Sequence, residues 1–427
     1  MAGRRADTEG TSWPLAAICV FVAAVGLWNV WRYPTGAGFD AQDHIAYADG
    51  LIRHGVLPQH TGEYYTPPGY YAVAGSLDWI GGKIGIGDEH RAGMGVNVVF
   101  LLGTVLLVAR IARELFPGRE RIALGAAAFV ALLPVAVETE AMFHPETMSL
   151  FFSTLALWLC VRTFADPRYG WALGAALGAA QLVRAWALWT VAAAAIALFA
   201  GRRWRELAIV VVLAALIPSP WYIHQRLKYG GQPQFPQPVT SSKPLLERRP
   251  VSFYVDPGVP EVITSPYRPH ALNLAIPTTY DGIWGDYFGA WAWHAGAPTA
   301  SGKLEVKPSA SVRRELVIQS LVGLLPTLLA LVGWAAFARA SLRSPPRLVV
   351  ALLPFLGIIG YLYFTVGYSS AARPDGDLLK ATYLLTTTAG WALGFGYALD
   401  RLRGRIWWLT VGLLVLATAV ELPFLFY

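Results

Sequence analysis

Charge is what this sequence has least of. Only 14% of its 427 residues are Asp, Glu, Lys or Arg, against about a quarter in soluble domains. That shortage excludes an ordinary soluble globular chain. Cysteine is nearly absent: Cys19 and Cys160 both sit inside apolar runs, which excludes a disulfide framework and leaves the redox compartment unread. No basic stripe with interleaved aromatics accompanies the net charge of +7, so no nucleic-acid partner is expected.

What the sequence has instead is apolar residues, 55% of the total. They recur in runs of about 18–20, enough to cross a bilayer at about 1.5 Å per helical residue. The expected fold class is an all-α polytopic membrane protein with eleven spans, at about 13–31, 92–112, 121–137, 146–164, 170–184, 185–200, 206–224, 315–338, 348–367, 381–399 and 406–426. The first run is read as an anchor, being too long for the apolar part of a signal peptide and lacking a small-residue cleavage site. Three parts follow: residues 1–224 with a first polar loop at 32–91, a Pro- and Gly-rich loop at 225–312, and the last helices at 313–427. Arginines crowd the short loops of one side: Arg110, Arg113, Arg119 and Arg121; Arg162 and Arg168; Arg202, Arg203 and Arg205; Arg339, Arg343 and Arg347; Arg401, Arg403 and Arg405. The positive-inside rule makes that side and the N-terminus cytoplasmic. The two polar loops then lie outside the plasma membrane.

The residues that burial in lipid does not explain gather on the outer side. In the stretch Gly38 to Tyr47, helical spacing puts Asp40, Asp43, His44 and Tyr47 on one face and Ile45, Ala48 and Ile52 on another. This predicts an amphipathic helix at the membrane surface with its titratable face wet. A plainer reading stands beside it: Asp40 as an N-cap and Asp43 as a first-turn acid. Pro67 and Pro68, followed by Tyr70 and Tyr71, predict the start of an interface helix over 67–86. A second outer loop carries Glu138, Glu140, His144 and Glu146. Arg184 stands among Leu182, Val183, Ala185 and Trp186 at the end of a span. Arg373, Asp375, Asp377, Lys380 and Tyr383 lie where a later span begins. A charge at membrane depth costs about 2.5–3.5 kcal/mol on insertion scales and tends to line a pathway or a site. Arg184 also has a plain alternative, snorkelling to the interface.

These motifs resemble those of GT-C membrane glycosyltransferases, in particular the bacterial branch related to protein mannosyltransferases and the aminoarabinose lipid A transferase. Phe39-Asp40-x-x-x-His44, then Tyr47-Ala48, Gly55, Leu57-Pro58 and Pro67-Pro68-x-Tyr70-Tyr71, look like that family's first outer loop. Its leading motif is commonly Asp-Glu, and here Ala41 stands in place of the second acid, with Asp43, His44 or Glu146 available to substitute. His144-Pro145-Glu146 is similar to an Asn-Pro-Asp motif. Gly174 to Arg184 resembles a glycine-rich helix ending in Leu-Thr-Lys, and Lys380 to Leu385 is similar to a late Gly-Arg-Tyr-Leu-Leu motif.

The resemblance implies an enzyme that transfers a sugar, with inversion, from a polyprenyl-phosphate donor to a glycan, lipid or protein acceptor outside the cytoplasm. A carboxylate would serve as general base, with Asp40 leading and Asp43, His44 and Glu146 as further catalytic candidates. Positive charge would hold the departing phosphate, from Arg184 and Lys380, with Arg373 a further candidate. Tyr383, Tyr70 and His144 complete the expected substrate-binding set. Asp40, His44 and Glu146 are the residues that could ligate a divalent ion such as Mg or Mn, a set too small in sequence to define a metal site. Trp284, Tyr287, Trp291 and Trp293 in the large loop are read mostly as packing, with the loop as a lid built of short helices. The alternatives are a flippase for lipid-linked sugars and a ligase or polymerase using a polyprenyl diphosphate.

Overall fold

Backbone N–H and C=O groups in an apolar surround must be paired within their own segment, and the chain answers with helices. The computed structural model describes residues 13–59, 62–86, 90–230, 244–268, 274–294, 306–367 and 379–427. Its first half holds α1 (Trp13–Arg32), α2 (Ala41–His54), α3 (Gly69–Ile84), α4 (Arg91–Leu115), α5 (Glu120–Ala131), α6 (Pro134–Glu140), α7 (Glu146–Ala165), α8 (Tyr169–Val183), α9 (Leu188–Ala200), α10 (Trp204–Leu216) and α11 (Ser219–Tyr229). Four short helices follow: α12 (Leu245–Arg248), α13 (Val251–Val255), α14 (Glu261–Thr264) and α15 (Ala275–Trp284). The chain ends with α16 (Ala310–Val322), α17 (Leu324–Ser341), α18 (Pro345–Gly367), a 3-10 turn at Ala381–Thr387, α19 (Thr388–Arg401) and α20 (Gly404–Glu421).

The expected count of eleven spans is not confirmed among the described residues. Among the described residues, 6 helices are long and apolar enough to cross a membrane, or 8 if two bent pairs each count as one. The first pair, α5 and α6, bends by 55° because Pro134 forces Leu133 into an extended conformation. The second, α10 and α11, bends by 44° beside Pro218 and Pro220. α8 has only 15 residues, the helix over 185–200 falls short of span length, and the segment expected to span 381–399 opens as a 3-10 turn.

Small residues let the helices close. A Cβ added to Gly333 of α17 would stand 2.0 Å from the Gly394 carbonyl of α19, and one on Gly396 would stand 2.4 Å from the Ile122 carbonyl of α5. α19 therefore meets α17 and α5 backbone to backbone, the geometry that drives helix association where no hydrophobic effect operates. Phe116, Phe337 and Tyr397 pack edge to face and tilted beside these crossings.

The two ends differ in chemistry. At one, arginines tie loops to helices: Arg119 pairs with Asp400, Arg113 with Glu120, and Arg203 and Arg347 donate to the carbonyls of Phe164 and Leu115. At the other lie α2, α3, the loop before α7 and the short helices of the large loop. There the buried carboxylate of Asp286 accepts backbone N–H bonds from Ala290, Trp291 and Ala292 at 2.6, 2.9 and 2.6 Å. Burial pushes Asp286 up to about 6 while those N–H groups pull it down. The loop so knotted packs on the start of the chain. Trp291 stacks on Tyr33 at 5.0 Å, the Tyr33 hydroxyl donates to the Ala290 carbonyl, and Trp293 donates to the carbonyl of Asp286.

The face of α2 expected to be wet is partly inside. His44 and Tyr47 are 0% and 1% exposed, and Asp43 lies at the surface. The reason is α3, which lays Tyr71 over them: Tyr47 stacks on Tyr71 at 3.9 Å, and His44 Nδ1 lies 2.7 Å from its hydroxyl. A hydrogen-bonded imidazole can be buried at modest cost.

The close crossing of α17 and α19 predicts that Gly333→Val destabilises the protein by about 1–3 kcal/mol. Gly412→Val, where an added Cβ meets nothing within 4 Å, should leave thermal unfolding in detergent unchanged. Equal melting of the two variants would contradict this packing.

Candidate active site

The site begins where α8 stops. Arg184 leaves helical geometry (φ −151, ψ 139) and is followed by a 3-10 turn at Ala185–Ala187. The break turns the guanidinium inward rather than out to an interface, and Arg184 is only 8% exposed. Its Nε donates to Glu146 Oε1 at 2.7 Å, and one terminal nitrogen donates to Thr66 Oγ1 at 3.0 Å and lies 3.5 Å from Glu63 Oε2. Thr66 in turn donates to Glu63 Oε2 at 2.5 Å, and the Tyr65 hydroxyl donates to Glu63 Oε1 at 3.0 Å. Burial pushes the Glu63 carboxyl up, but coupling to His44 when that imidazole is protonated, the charge of Arg184 and the Thr66 bond bring it below its ordinary range. Gly69 makes this approach possible: a Cβ there would lie 2.6 Å from the Leu182 carbonyl of α8.

The second element is the ion pair of Asp40 with Lys380, residues 340 apart in sequence. Asp40 occupies the N-cap position of α2, yet its side chain caps nothing and its backbone is left-handed (φ 51, ψ 24). The N-cap reading is thereby corrected. That conformation is costly for a residue with a Cβ, and here it presents the carboxylate to Lys380. The Asp40 side chain is 40% exposed against 13% for Lys380, so the acid faces solvent and the ammonium is mostly covered. The Lys380 charge, opposed by burial, brings the Asp40 carboxyl down to about 2. Burial alone would lower Lys380, but Asp40 and Tyr383 hold it above its ordinary value. The ammonium also lies over the Phe39 ring, 5.5 Å from its centre.

Two imidazoles complete the floor. His44 and His144 meet edge to face at 4.8 Å. His44 Nε2, His144 Nδ1 and Glu146 Oε2 are buried without a hydrogen-bond partner among the described residues. Burial brings His44 down to about 4 and His144 well below its ordinary value, so both are neutral near pH 7. Tyr383 stacks on Trp186 at 4.8 Å, with Phe364 edge-on to both.

Of the residues expected from sequence, Asp40, His44, His144, Glu146, Arg184, Lys380 and Tyr383 thus belong to one linked arrangement. Tyr70 does not join it directly: it is fully buried, accepts a bond from Asn97 and packs on Phe143, leaving Tyr71 to hold His44. Asp43 is exposed beside Gly62. Arg373, with Asp375 and Asp377, lies outside the described residues. Glu63, Thr66 and Trp186 were not singled out by sequence. Glu63 is the acid that joins Arg184 beside Glu146, while Ala41 is buried at the first turn of α2.

Of the residues considered for a divalent ion, Asp40 pairs with Lys380, His44 Nδ1 meets Tyr71 and Glu146 Oε1 is held by Arg184, which leaves His44 Nε2 and Glu146 Oε2 unpartnered among the described residues. Their ligand atoms do not, among the described residues, all come within 4.8 Å of one another. Among the described residues, the group of three with ligand atoms within 4.8 Å of one another is Asp49, Asp78 and His90. There Asp49 pairs with Arg53 and Asp78 with His90.

Comparisons with known proteins bear on the fold. Residues 73–224 match the family model described as dolichyl-phosphate-mannose-protein mannosyltransferase. No curated protein matches the chain. The crystal structure of ArnT from Cupriavidus metallidurans bound to undecaprenyl phosphate aligns with a TM-score of 0.54 at 16% identity, over 95% of this chain and 63% of that one. The chain has the GT-C fold. The Archaeoglobus fulgidus oligosaccharyltransferase in complex with Zn and sulfate aligns with a TM-score of 0.54 at 13% identity, covering 96% of this chain and 52% of that one. The archaeal oligosaccharyltransferase AglB from Archaeoglobus fulgidus, in complex with an inhibitory peptide and a dolichol-phosphate, gives 0.51 at 13% identity, covering 96% and 55%. The chain therefore spans 52–63% of the length of these solved structures. Its apolar helices and its fold make it a multi-pass membrane protein.

Removing one partner from a buried charge network leaves the others uncompensated, at about 3–5 kcal/mol. Arg184→Met should lose stability on that scale, and Arg184→Met combined with Glu146→Gln should recover part of it. Strictly additive losses in thermal unfolding would count against the coupling. His44 gives a pH dependence. Its folded value of about 4 lies below 6.5, so between those pH values the unfolded chain takes up a proton that the folded chain does not, and stability falls as pH falls. In His44→Gln the melting temperature should decline less steeply over that window.

Proposed function

We propose that this chain is an inverting glycosyltransferase that moves a sugar from a polyprenyl-phosphate donor to an extracytoplasmic acceptor. The observation that carries the proposal is the solvent-facing Asp40 carboxylate joined to Lys380 in a GT-C fold. The solved neighbours bound to undecaprenyl phosphate and to a dolichol-phosphate support a lipid-phosphate donor.

The acceptor hydroxyl oxygen attacks the anomeric carbon and its proton passes to Asp40. The bond from that carbon to the phosphate oxygen breaks, and the electron pair leaves with the lipid phosphate. No covalent sugar intermediate forms. A preorganised cation beside the departing oxygen stabilises the charge that develops, and Lys380 is that cation. Arg184 already shares its charge with Glu146 and Glu63. It acts at longer range and, above all, orients the two carboxylates. The half-buried Trp186 and Tyr383 stack flanks the donor. His44 and His144, neutral and buried, hold the floor beneath Asp40, and Asp43 stands at the rim.

The arginine-rich end faces the cytoplasm, and the site opens on the outer side of the plasma membrane, where α12 to α15 form part of a lid. Glycan, lipid and protein acceptors all fit this chemistry. A flippase has no use for a base, and the exposed Asp40 therefore favours transfer.

Asp40→Asn should reduce sugar transfer by about 10²–10⁴-fold, the scale of a general base, with folding retained. The measurement is transfer of labelled sugar from a polyprenyl-phosphate donor by the chain in lipid nanodiscs. Near-normal transfer by that variant would remove Asp40 from the base role.

A further inference from the structure

The two groups that the proposed reaction needs apart are found together. Asp40 has to accept a proton and Lys380 has to meet a phosphate, yet each holds the other. The contact joins the loop before α2 to the turn before α19, and the left-handed backbone of Asp40 maintains it. Lys380 is covered by Phe39 and lies three residues from the Trp186 and Tyr383 stack. The Asp40 carboxylate is the open side of the pair. An anion that reaches Lys380 must therefore compete with Asp40 for it; the donor's phosphodiester matches the carboxylate with one negative charge on two free oxygens, and binding of the attached lipid and sugar tips the exchange.

We propose that the Asp40–Lys380 ion pair is a latch that the donor's phosphate opens, so that the base is set free only after the lipid donor is seated and the acceptor reacts second. This rests on the glycosyltransferase reading of the site. While Lys380 holds it, Asp40 is too weak a base to take a proton from a hydroxyl, because the ammonium stabilises its charged form. Transfer of Lys380 to the phosphate removes that stabilisation. The acceptor proton then moves to Asp40 as the new carbon–oxygen bond forms and the bond to phosphate breaks. When the lipid phosphate departs, Lys380 returns to Asp40 and drives the proton off to solvent. The latch thus resets the base as well as withholding it.

The test uses the full chain in nanodiscs and undecaprenyl phosphate without sugar, with binding read by the intrinsic fluorescence change of tryptophan. Asp40→Asn should bind this lipid about fivefold more tightly than wild type, the scale of a partly exposed ion pair released from competition. Lys380→Met should bind at least about tenfold more weakly, and adding Asp40→Asn to it should change nothing further. If Asp40→Asn binds no better than wild type while Lys380→Met is weakened, the latch is wrong and the phosphate role of Lys380 survives. If Lys380→Met binds like wild type, the phosphate role fails and takes the latch with it. Isotope trapping on unmodified protein decides the order without any variant. Labelled donor bound first should be carried into product on a chase with acceptor and unlabelled donor, whereas labelled acceptor bound first should be lost. Trapping of the acceptor pulse would overturn the proposal.

Discussion

A guanidinium buried at the end of an apolar helix is the constraint from which the site is built. Taken out of water alone, its charge would cost several kcal/mol, so the chain must bring it oxygen atoms from elsewhere. Glu146 arrives from the start of α7, and Glu63 and Thr66 arrive from the segment before α3. Satisfying Arg184 therefore fastens α8, α7 and the first polar loop to one another. α3 is fixed by that fastening, and Tyr71 on α3 receives His44 of α2. The position of Asp40, one turn before His44, is a distant consequence of solvating one arginine.

Much of the fold was legible because lipid solubility leaves a coarse signature. Long apolar runs separated by arginine clusters gave the helical class and the arginine-bearing end. Their number was less legible. Residues 170–200 read as two spans by composition, but Arg184 interrupts them and neither resulting helix has full span length. Bends at Pro134 and Pro218 likewise divide runs that hydropathy averages into one. Local sequence encodes helix propensity and polarity, whereas span length depends on where neighbouring elements pull the chain out of line.

The site was legible in its charged members and obscure in its geometry. Asp40, Glu146, Arg184 and Lys380 stood out because a charge near an apolar run needs explaining. Their pairing, Arg184 with Glu146 and Asp40 with Lys380, could not be read from positions 38 and 340 residues apart. Glu63 was hidden among tyrosines and prolines, and Trp186 looked like ordinary apolar sequence. Helical spacing put Asp40, Asp43, His44 and Tyr47 on one face, but Asp40 leaves helical geometry, Asp43 lies at the surface and only His44 and Tyr47 are buried together, because spacing does not say what covers a face. α3 supplies aromatic cover and turns Val73, Leu77, Trp79, Ile80 and Ile84 outward, so part of a stripe that polarity assigned to water lies in the interior.

Gly69 sets the tolerance of the whole assembly. Only the lack of a side chain there lets the start of α3 rest on the last carbonyls of α8. Alanine would push apart the two walls that meet at Arg184, since backbone atoms cannot step aside. The contact at Gly69 admits no side chain, whereas Trp186 and Tyr383 are only partly buried. Change at the partly buried side chains around the site is therefore cheaper than change at this contact.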